Sequence, residues 1–545
     1  MAGSVSEMPV LAENDSNVST RGGAEVFVET LAVEGVRYVF GIPGEHCLSI
    51  IDAISSRDDI NFISVRHESA AGFMAEAYGK LTNAPAACLG TASVGAANLV
   101  AGVNVAFHDS TPMLVIVGQV ATNLLGRQAW QEVDLVSMFG PMCRHAIEIS
   151  HAERLSEQTS KALALTTVNR PGPVLLSVPV DIQDGQAPAK LSAVVRPKGP
   201  APSKEDLRAV VHMISEASRP LLVVGGGIRA GDAYDELAHL VEHVHLPVVT
   251  GFRRTDAVSN DSEYYIGALG LSAPQEVKDA VVSADLLVVI GTRLSELTTL
   301  RYAFPTRAQK VVHFDIDAQV LTAQPAVGQL AIVSDSKLAL RDLAEECERA
   351  GVQGPRAWWR SHQETRGETN SSTNILIRQV ATTIDRLLPL DAVVTSDAGD
   401  FYLDCAPAIN INAQRRYLGP TSGTMGYGLP AAIAAKCALP ESVCVTLCGD
   451  GGLMMSIQEL ETAVRYNINV IVVVFNNSSY GSIIRHQKRR FEGNLVGTEL
   501  GNPSFADIAN LFGATGRSVA TAEEFTEAFA SALTRGGVEL IEVCL

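Results

Sequence analysis

The 545-residue chain contains no apolar stretch of membrane-spanning length. It has no block of basic residues to set against its net charge of −18, which argues against nucleic acid or an anionic membrane surface as a partner. Its nine cysteines are odd in number and scattered, with no Cys-x-x-Cys pair. That excludes a disulfide framework or a zinc ribbon and leaves the reduced thiols of a cytoplasmic protein as the expectation. Residues 1–20 are polar, lack a hydrophobic signal core and read as a disordered tail.

What is present is apolar: 47% of residues are hydrophobic, enough for about three domains. Two stretches rich in small or polar residues, 186–203 and 351–375, read as linkers. Between them lie three segments, 21–185, 204–350 and 376–545, each alternating apolar strands with helical patterns. The expected fold class is α/β, with three doubly wound parallel-sheet domains.

The most informative local signal lies near the C-terminus. Gly449-Asp450-Gly451 and Asn476-Asn477 are separated by the 24 residues 452–475. Val443–Cys448 and Val470–Phe475 are apolar runs without polar alternation, as in strands covered on both faces. Leu453, Ile457, Leu460 and Val464 between them share one helical face. A βαβ unit would set Asp450 and Asn477 just past the carboxyl ends of parallel strands, where open α/β sheets bind ligands. Gly451 and Gly452 would let the backbone approach a phosphate. Asp450, Asn477 and a backbone carbonyl are hard oxygen donors suited to Mg²⁺ shared with phosphate. The plainer alternative is a glycine turn and an asparagine turn in an ordinary α/β domain.

This pair resembles the signature of thiamine diphosphate-dependent enzymes. Further segments resemble the same family: Gly41-Ile42-Pro43-Gly44, Arg66-His67-Glu68-Ser69-Ala70-Ala71, Asp109-Ser110-Thr111-Pro112-Met113 and Arg170-Pro171-Gly172-Pro173-Val174. Gly423-Thr424-Met425-Gly426-Tyr427-Gly428 resembles the acetolactate synthase-like branch. The resemblance implies a pyrimidine-binding domain (21–185), a central domain (204–350) and a diphosphate-binding domain (376–545), the first and third sharing a fold. It also implies a homodimer or homotetramer with active sites at the subunit interface.

The resemblance carries roles onto residues. Glu68 would hydrogen-bond the cofactor's aminopyrimidine ring; its plain alternative is a helix-start glutamate favoured by the helix dipole. Gln131 would share in catalysis. Met425 would prop the bent cofactor, and the Gly423 carbonyl would accept from its amino group. Gly399, Asp400, Asp450, Gly451, Gly452, Asn477, Gly481 and Ile483 would line the cofactor. Asp450, Asn477 and the Ser479 carbonyl would hold Mg²⁺. Gln119, Trp130, Arg144, Ser482 and His486 would border a small 2-oxo acid substrate. In the family a glutamine–histidine pair follows Gly399, where this chain has Asp400-Phe401.

The implied reaction is decarboxylation of a 2-oxo acid such as pyruvate followed by carboligation. A decarboxylase releasing an aldehyde, an FAD-dependent oxidase of the same fold and a catalytically inactive cofactor-binding regulator are the alternatives. Gly225-Gly226-Gly227 after a strand resembles a dinucleotide turn, so FAD enters as a further cofactor. Against it, Arg293-Leu294-Ser295-Glu296 replaces the arginine–phenylalanine–aspartate stretch of flavin-binding synthases.

Overall fold

A computed structural model describes residues 19–271, 273–323, 329–355, 358–359, 374–491 and 493–545. Most of the expected tail and much of the second linker lie outside the described residues. Thr20, expected in the tail, instead opens strand β1 (Thr20–Gly22).

The first domain contains β2 (Tyr38–Gly41), β3 (Asn61–Ser64), β4 (Ala86–Thr91), β5 (Met113–Gln119), β6 (His145–Glu148) and β7 (Pro173–Pro179). They form a parallel sheet in the order β3-β2-β4-β5-β7-β6. β8 (Gln186–Pro188), expected as linker, pairs antiparallel with β1 and closes the domain.

The middle domain contains β9 (Pro220–Val224), β10 (Val248–Thr250), β11 (Tyr265–Ala268), β12 (Leu286–Ile290), β13 (Lys310–Asp315) and β14 (Gln329–Val333), in the order β11-β10-β9-β12-β13-β14. The third contains β15 (Val393–Ser396), β16 (Arg416–Leu418), β17 (Cys444–Gly449), β18 (Ile471–Asn476), β19 (Thr515–Val519) and β20 (Glu539–Cys544), in the order β16-β15-β17-β18-β20-β19. Within each domain, the first and third sheets have the same strand permutation. The middle sheet follows the order of dinucleotide-binding folds.

One core runs through the first and third domains. It joins Met74, Ala77 and Leu99 to Leu429, Ile433 and Leu453. The helix Glu68–Thr82 packs on the helix Gly428–Ala438 and on the helix Ala92–Asp109. The last contact is very close: a Cβ on Gly72 would lie 2.9 Å from Gly102 Cα. The middle domain has its own core, which takes in the buried Trp359 from the second linker. Among the described residues, no helix is long and apolar enough to cross a membrane.

The βαβ unit forms, with one difference. The expected single helix is broken into Asp450–Leu453 and Glu459–Arg465. Leu453 and Leu460 reach the shared core, whereas Met454 and Met455 between the helices stay exposed. Spacing alone reported the buried face and missed the break.

Candidate active site

Glu68 is the first residue of its helix and only 7% exposed. The helix begins there because His67 is extended and its ring accepts from the Ser69 N–H. Asn98 Nδ2 donates to Glu68 Oε2 at 2.9 Å. A Cβ on Gly95 would lie 3.3 Å from Glu68 Oε1 and 3.1 Å from Gly90, so the carboxylate packs closely on this glycine. The Ser93 N–H, two residues before Gly95, donates to the Gln131 carbonyl at 3.2 Å. The Gln131 loop is thereby tied to the first turn of the helix that carries Gly95 and Asn98. Asn98 carried no recognisable sequence signal.

The expected substrate residues divide. Gln119 ends β5 and is buried, but its amide donates to the Val133 carbonyl at 2.9 Å and accepts from the Val120 N–H at 3.0 Å. Trp130 is 69% exposed, with its ring 6.2 Å from that of His46. Arg144 precedes β6, and its side chain lies against Gly172 at the amino end of β7. It is therefore at the opposite end of the sheet from Glu68 and Gln119.

In the third domain, Asp450 opens a short helix at the end of β17 and is buried. Burial pushes its carboxyl pKa up, opposed by the Gly451 N–H, Asn502 and the Ser479 and Ser478 N–H groups. Asn502 Nδ2 donates to Asp450 Oδ2 at 2.7 Å and to Asn476 Oδ1 at 3.0 Å, tying the two strand ends together. Asn477 Oδ1 accepts from the Ser479 N–H at 3.1 Å. The backbone turns here because Ser478 has φ 53° and Ser479 bridges to Glu499. The three expected metal donors thus share one loop cluster.

Asp397 and Arg485 complete this floor. Asp397 is fully buried; its Oδ1 accepts from the Tyr427 and Gly428 N–H groups at 2.7 and 2.9 Å. Its Oδ2 has no partner, and burial pushes the carboxyl up to about 6. Arg253 of the middle domain, 4% exposed, donates from Nη2 to the Asp397 carbonyl at 2.8 Å. Asp400, expected against the diphosphate, is paired with Arg485 at 2.5 Å. Burial pushes its carboxyl pKa up, opposed by Arg485 and His486. Gly481 begins the helix Gly481–Arg490, which buries none of its residues; Ser482, Ile483 and His486 lie on it. Met425 is half-buried between Gly423 and Gly426, whose φ values are 73° and 81°.

Thiamine diphosphate and Mg²⁺ fit this donor set. Asp450, Asn477 and the Ser479 carbonyl offer oxygen only. Asp397 offers a buried, unpartnered oxygen beside them. Side chains cannot replace the glycines: a Cβ on Gly451 would lie 2.5 Å from the Tyr480 ring, and one on Gly452 2.3 Å from Asp397 Oδ2.

A cavity of about 730 Å³ lies past the carboxyl ends of β9 and β12, bordered by Gly226, Arg254, Arg293 and Asp315 of the middle domain, Arg170 of the first and Thr421 of the third. Burial pushes the Arg293 guanidinium down to about 10 and the Asp315 carboxyl up to about 6. The neighbouring glycines have a packing role: a Cβ on Gly225 would meet Thr292 at 2.4 Å, and one on Gly227 would meet Gly291 Cα at 2.6 Å.

Three family models match the chain. The thiamine pyrophosphate enzyme N-terminal TPP binding domain matches residues 21–138, the central domain 207–343 and the C-terminal TPP binding domain 397–543. The chain is 32% identical to the acetolactate synthase isozyme 3 large subunit of Escherichia coli (strain K12), covering 94% of this chain and 92% of that protein. It is 31% identical to the acetolactate synthase large subunit of Haemophilus influenzae, over 92% and 90%. With a probable acetolactate synthase large subunit of Methanocaldococcus jannaschii it shares 30% identity, over 96% and 92%.

Proposed function

Because the chain belongs to the thiamine pyrophosphate enzyme family, in its acetolactate synthase-like branch, we propose that it decarboxylates a small 2-oxo acid such as pyruvate and joins the remainder to a second carbonyl compound. With pyruvate as both partners, the products are acetolactate and carbon dioxide. The observation that carries this reading is the coexistence of two formed half-sites: Glu68 with Asn98, and Asp450 with Asn477 and Ser479.

When bound, thiamine diphosphate supplies an electron sink for loss of carbon dioxide from the 2-oxo acid. Residues 21–185 would bind its pyrimidine and residues 376–545 its diphosphate. Glu68 would hold a proton at the pyrimidine, with Asn98 fixing the carboxylate's direction. Gln131 would reach the reacting carbons from the adjoining loop. Asp450, Asn477 and the Ser479 carbonyl would hold Mg²⁺ against the diphosphate, and Gly399, Gly451, Gly452 and Gly481 would keep the floor open. Met425 and Ile483 would form the apolar wall, with Gln119, Trp130, Ser482 and His486 around the substrate.

Glu68 takes its hydrogen bond from Asn98 of the first domain, and Asp450 takes one from Asn502 of the third. Exposed apolar side chains accompany both: Val94, Leu124 and Trp130 near the first, Met455, Ile483, Phe491 and Val496 near the second. A homodimer that joins the first domain of one copy to the third of another would bury these groups and complete the site. A cytoplasmic location belongs to the same reading.

Incubation with pyruvate, Mg²⁺ and thiamine diphosphate should give acetolactate. Aldehyde alone would overturn carboligation. Glu68→Gln should retain cofactor binding and lose turnover; full activity in that variant would remove Glu68 from catalysis. A flavin in the middle domain is a second reading, favoured by the strand order and the 730 Å³ cavity. Absence of flavin absorbance from the purified protein would refute it.

A further inference from the structure

The middle domain brings together three metal-ligating side chains that the proposed reaction does not use. His239 and His243 lie one turn apart on the helix Tyr234–Val244, and Glu348 lies on the adjoining helix Ser336–Ala350. One ligand atom from each lies within 4.8 Å of the other two. The imidazole centroids are 4.0 Å apart, and His239 Nε2 is 3.0 Å from Glu348 Oε1. None of the three lines the 730 Å³ cavity, and all are exposed.

We infer that His239, His243 and Glu348 form a surface site for a borderline-soft divalent cation, Zn²⁺ or Ni²⁺, distinct from the Mg²⁺ site of the cofactor. Two imidazole nitrogens and one carboxylate oxygen make a three-protein-ligand set that leaves a position for water. Nitrogen donors favour Zn²⁺, Ni²⁺ or Cu²⁺ over Mg²⁺, which demands oxygen. The outer contacts fit. His243 Nδ1 is 3.0 Å from the His239 carbonyl, so in the neutral ring Nδ1–H donates there and Nε2 keeps its lone pair for a metal. The i, i+4 spacing puts both rings on one face, and Glu348 approaches from the neighbouring helix. An ion held there would clamp the two helices together. The competing account is an ordinary exposed pair between protonated His239 and Glu348, which needs no metal.

The test uses the full chain with thiamine diphosphate and excess Mg²⁺, so that the oxygen site is filled. Titration with Zn²⁺ alone, followed by calorimetry, should show one ion bound per chain with micromolar affinity. Changing an outer-shell contact typically costs about 10–100-fold in affinity, so His239→Ala or His243→Ala should each lose at least that much. Glu348→Gln should weaken binding by less. All three positions are exposed, so turnover and circular dichroism should stay at the parent level and show the variants folded. The double variant His239→Ala/His243→Ala should also lose the rise in thermal midpoint that Zn²⁺ gives the parent. Equal Zn²⁺ binding by the parent and the double variant, or only millimolar binding by the parent, would overturn the site.

Discussion

Lys80→Met tests the joint between domains. Lys80 is buried, with Nζ 2.8 Å from Glu76 Oε1 and paired to Asp109 Oδ2. Glu76 also accepts from Thr111 and, at 2.7 Å, from the Tyr427 hydroxyl of the third domain. Asp109 accepts from the Thr421 N–H at 3.1 Å and pairs with Arg254 of the middle domain at 3.3 Å. Burial opposes ionisation of Asp109, but Lys80, Arg254 and Thr421 together hold its carboxyl pKa well below the usual carboxylate range. The cluster holds two cations and two carboxylates. Removing Lys80 leaves Glu76 as an uncompensated buried charge, while Asp109 keeps Arg254. Breaking such a pair from one side costs about 3–5 kcal/mol. The first and third domains share a core, and for a cooperative unit of that size this is roughly 4–7 °C in thermal midpoint. Scanning calorimetry at neutral pH measures it. The double variant Glu76→Gln/Lys80→Met should recover much of the loss, because the orphaned carboxylate is gone. Thr421 leads into the Gly423–Gly426 loop, so Lys80→Met should also weaken thiamine diphosphate binding. A midpoint within about 1 °C of the parent, or a double variant that simply adds a second loss, would refute the reasoning.

Burial pushes the Glu459 carboxyl from 4.5 up to about 7, against bonds from Thr462 and the Arg66 and His67 N–H groups. A folded pKa above the unfolded one gives stability that is full below about 4.5 and lost as pH rises through 7. The span is roughly 3 kcal/mol. Glu459→Gln should flatten the denaturation midpoint over that window, and parallel pH profiles for the two proteins would count against it. Gly452→Ala would place a Cβ 2.3 Å from an Asp397 pinned by two N–H groups; titration calorimetry should show cofactor affinity down at least about tenfold. Unchanged affinity would mean the floor can move. Arg485→Ala should weaken cofactor binding by leaving the Asp400 carboxylate unpaired beside an anion, and Asp400→Gln/Arg485→Ala should restore it. If the double variant binds no better than the single, the pair has no such role.

The parts of this molecule legible in the sequence are those with local periodicity. The apolar runs at Val443–Cys448 and Val470–Phe475 foretell β17 and β18 to within one residue. Glu68, readable as a helix-start glutamate, is the first residue of the helix Glu68–Thr82. Asp450, Asn477 and Ser479 gather because a βαβ crossover leaves both strand ends at one edge. The residues that steady the site carry no such signal. Asn98 lies 30 residues from Glu68, Asn502 lies 52 from Asp450, and Arg485 lies 85 from Asp400. A polar side chain meeting a remote partner leaves no repeat along the chain. Arg144 shows the converse: expected at the substrate, it is carried by the backbone order to the end of the sheet opposite Glu68.

The middle domain meets both other domains at several points, and one dipeptide, Arg253-Arg254, reaches each of them. Arg254 pairs with Asp109 in the first domain, and Arg253 donates to the Asp397 carbonyl in the third. Arg253 does so with φ 55°, a conformation that costs a non-glycine residue energy and persists only when its surroundings fix it. They do: its guanidinium lies 4.3 Å over the Tyr402 ring and is buried. Asp397 in turn orients the Tyr427 and Gly428 N–H groups that end the Met425 loop. The floor proposed for the diphosphate is therefore set in part by a contact from outside its own domain. The middle domain would affect cofactor affinity through Arg253 whether or not its own cavity is filled.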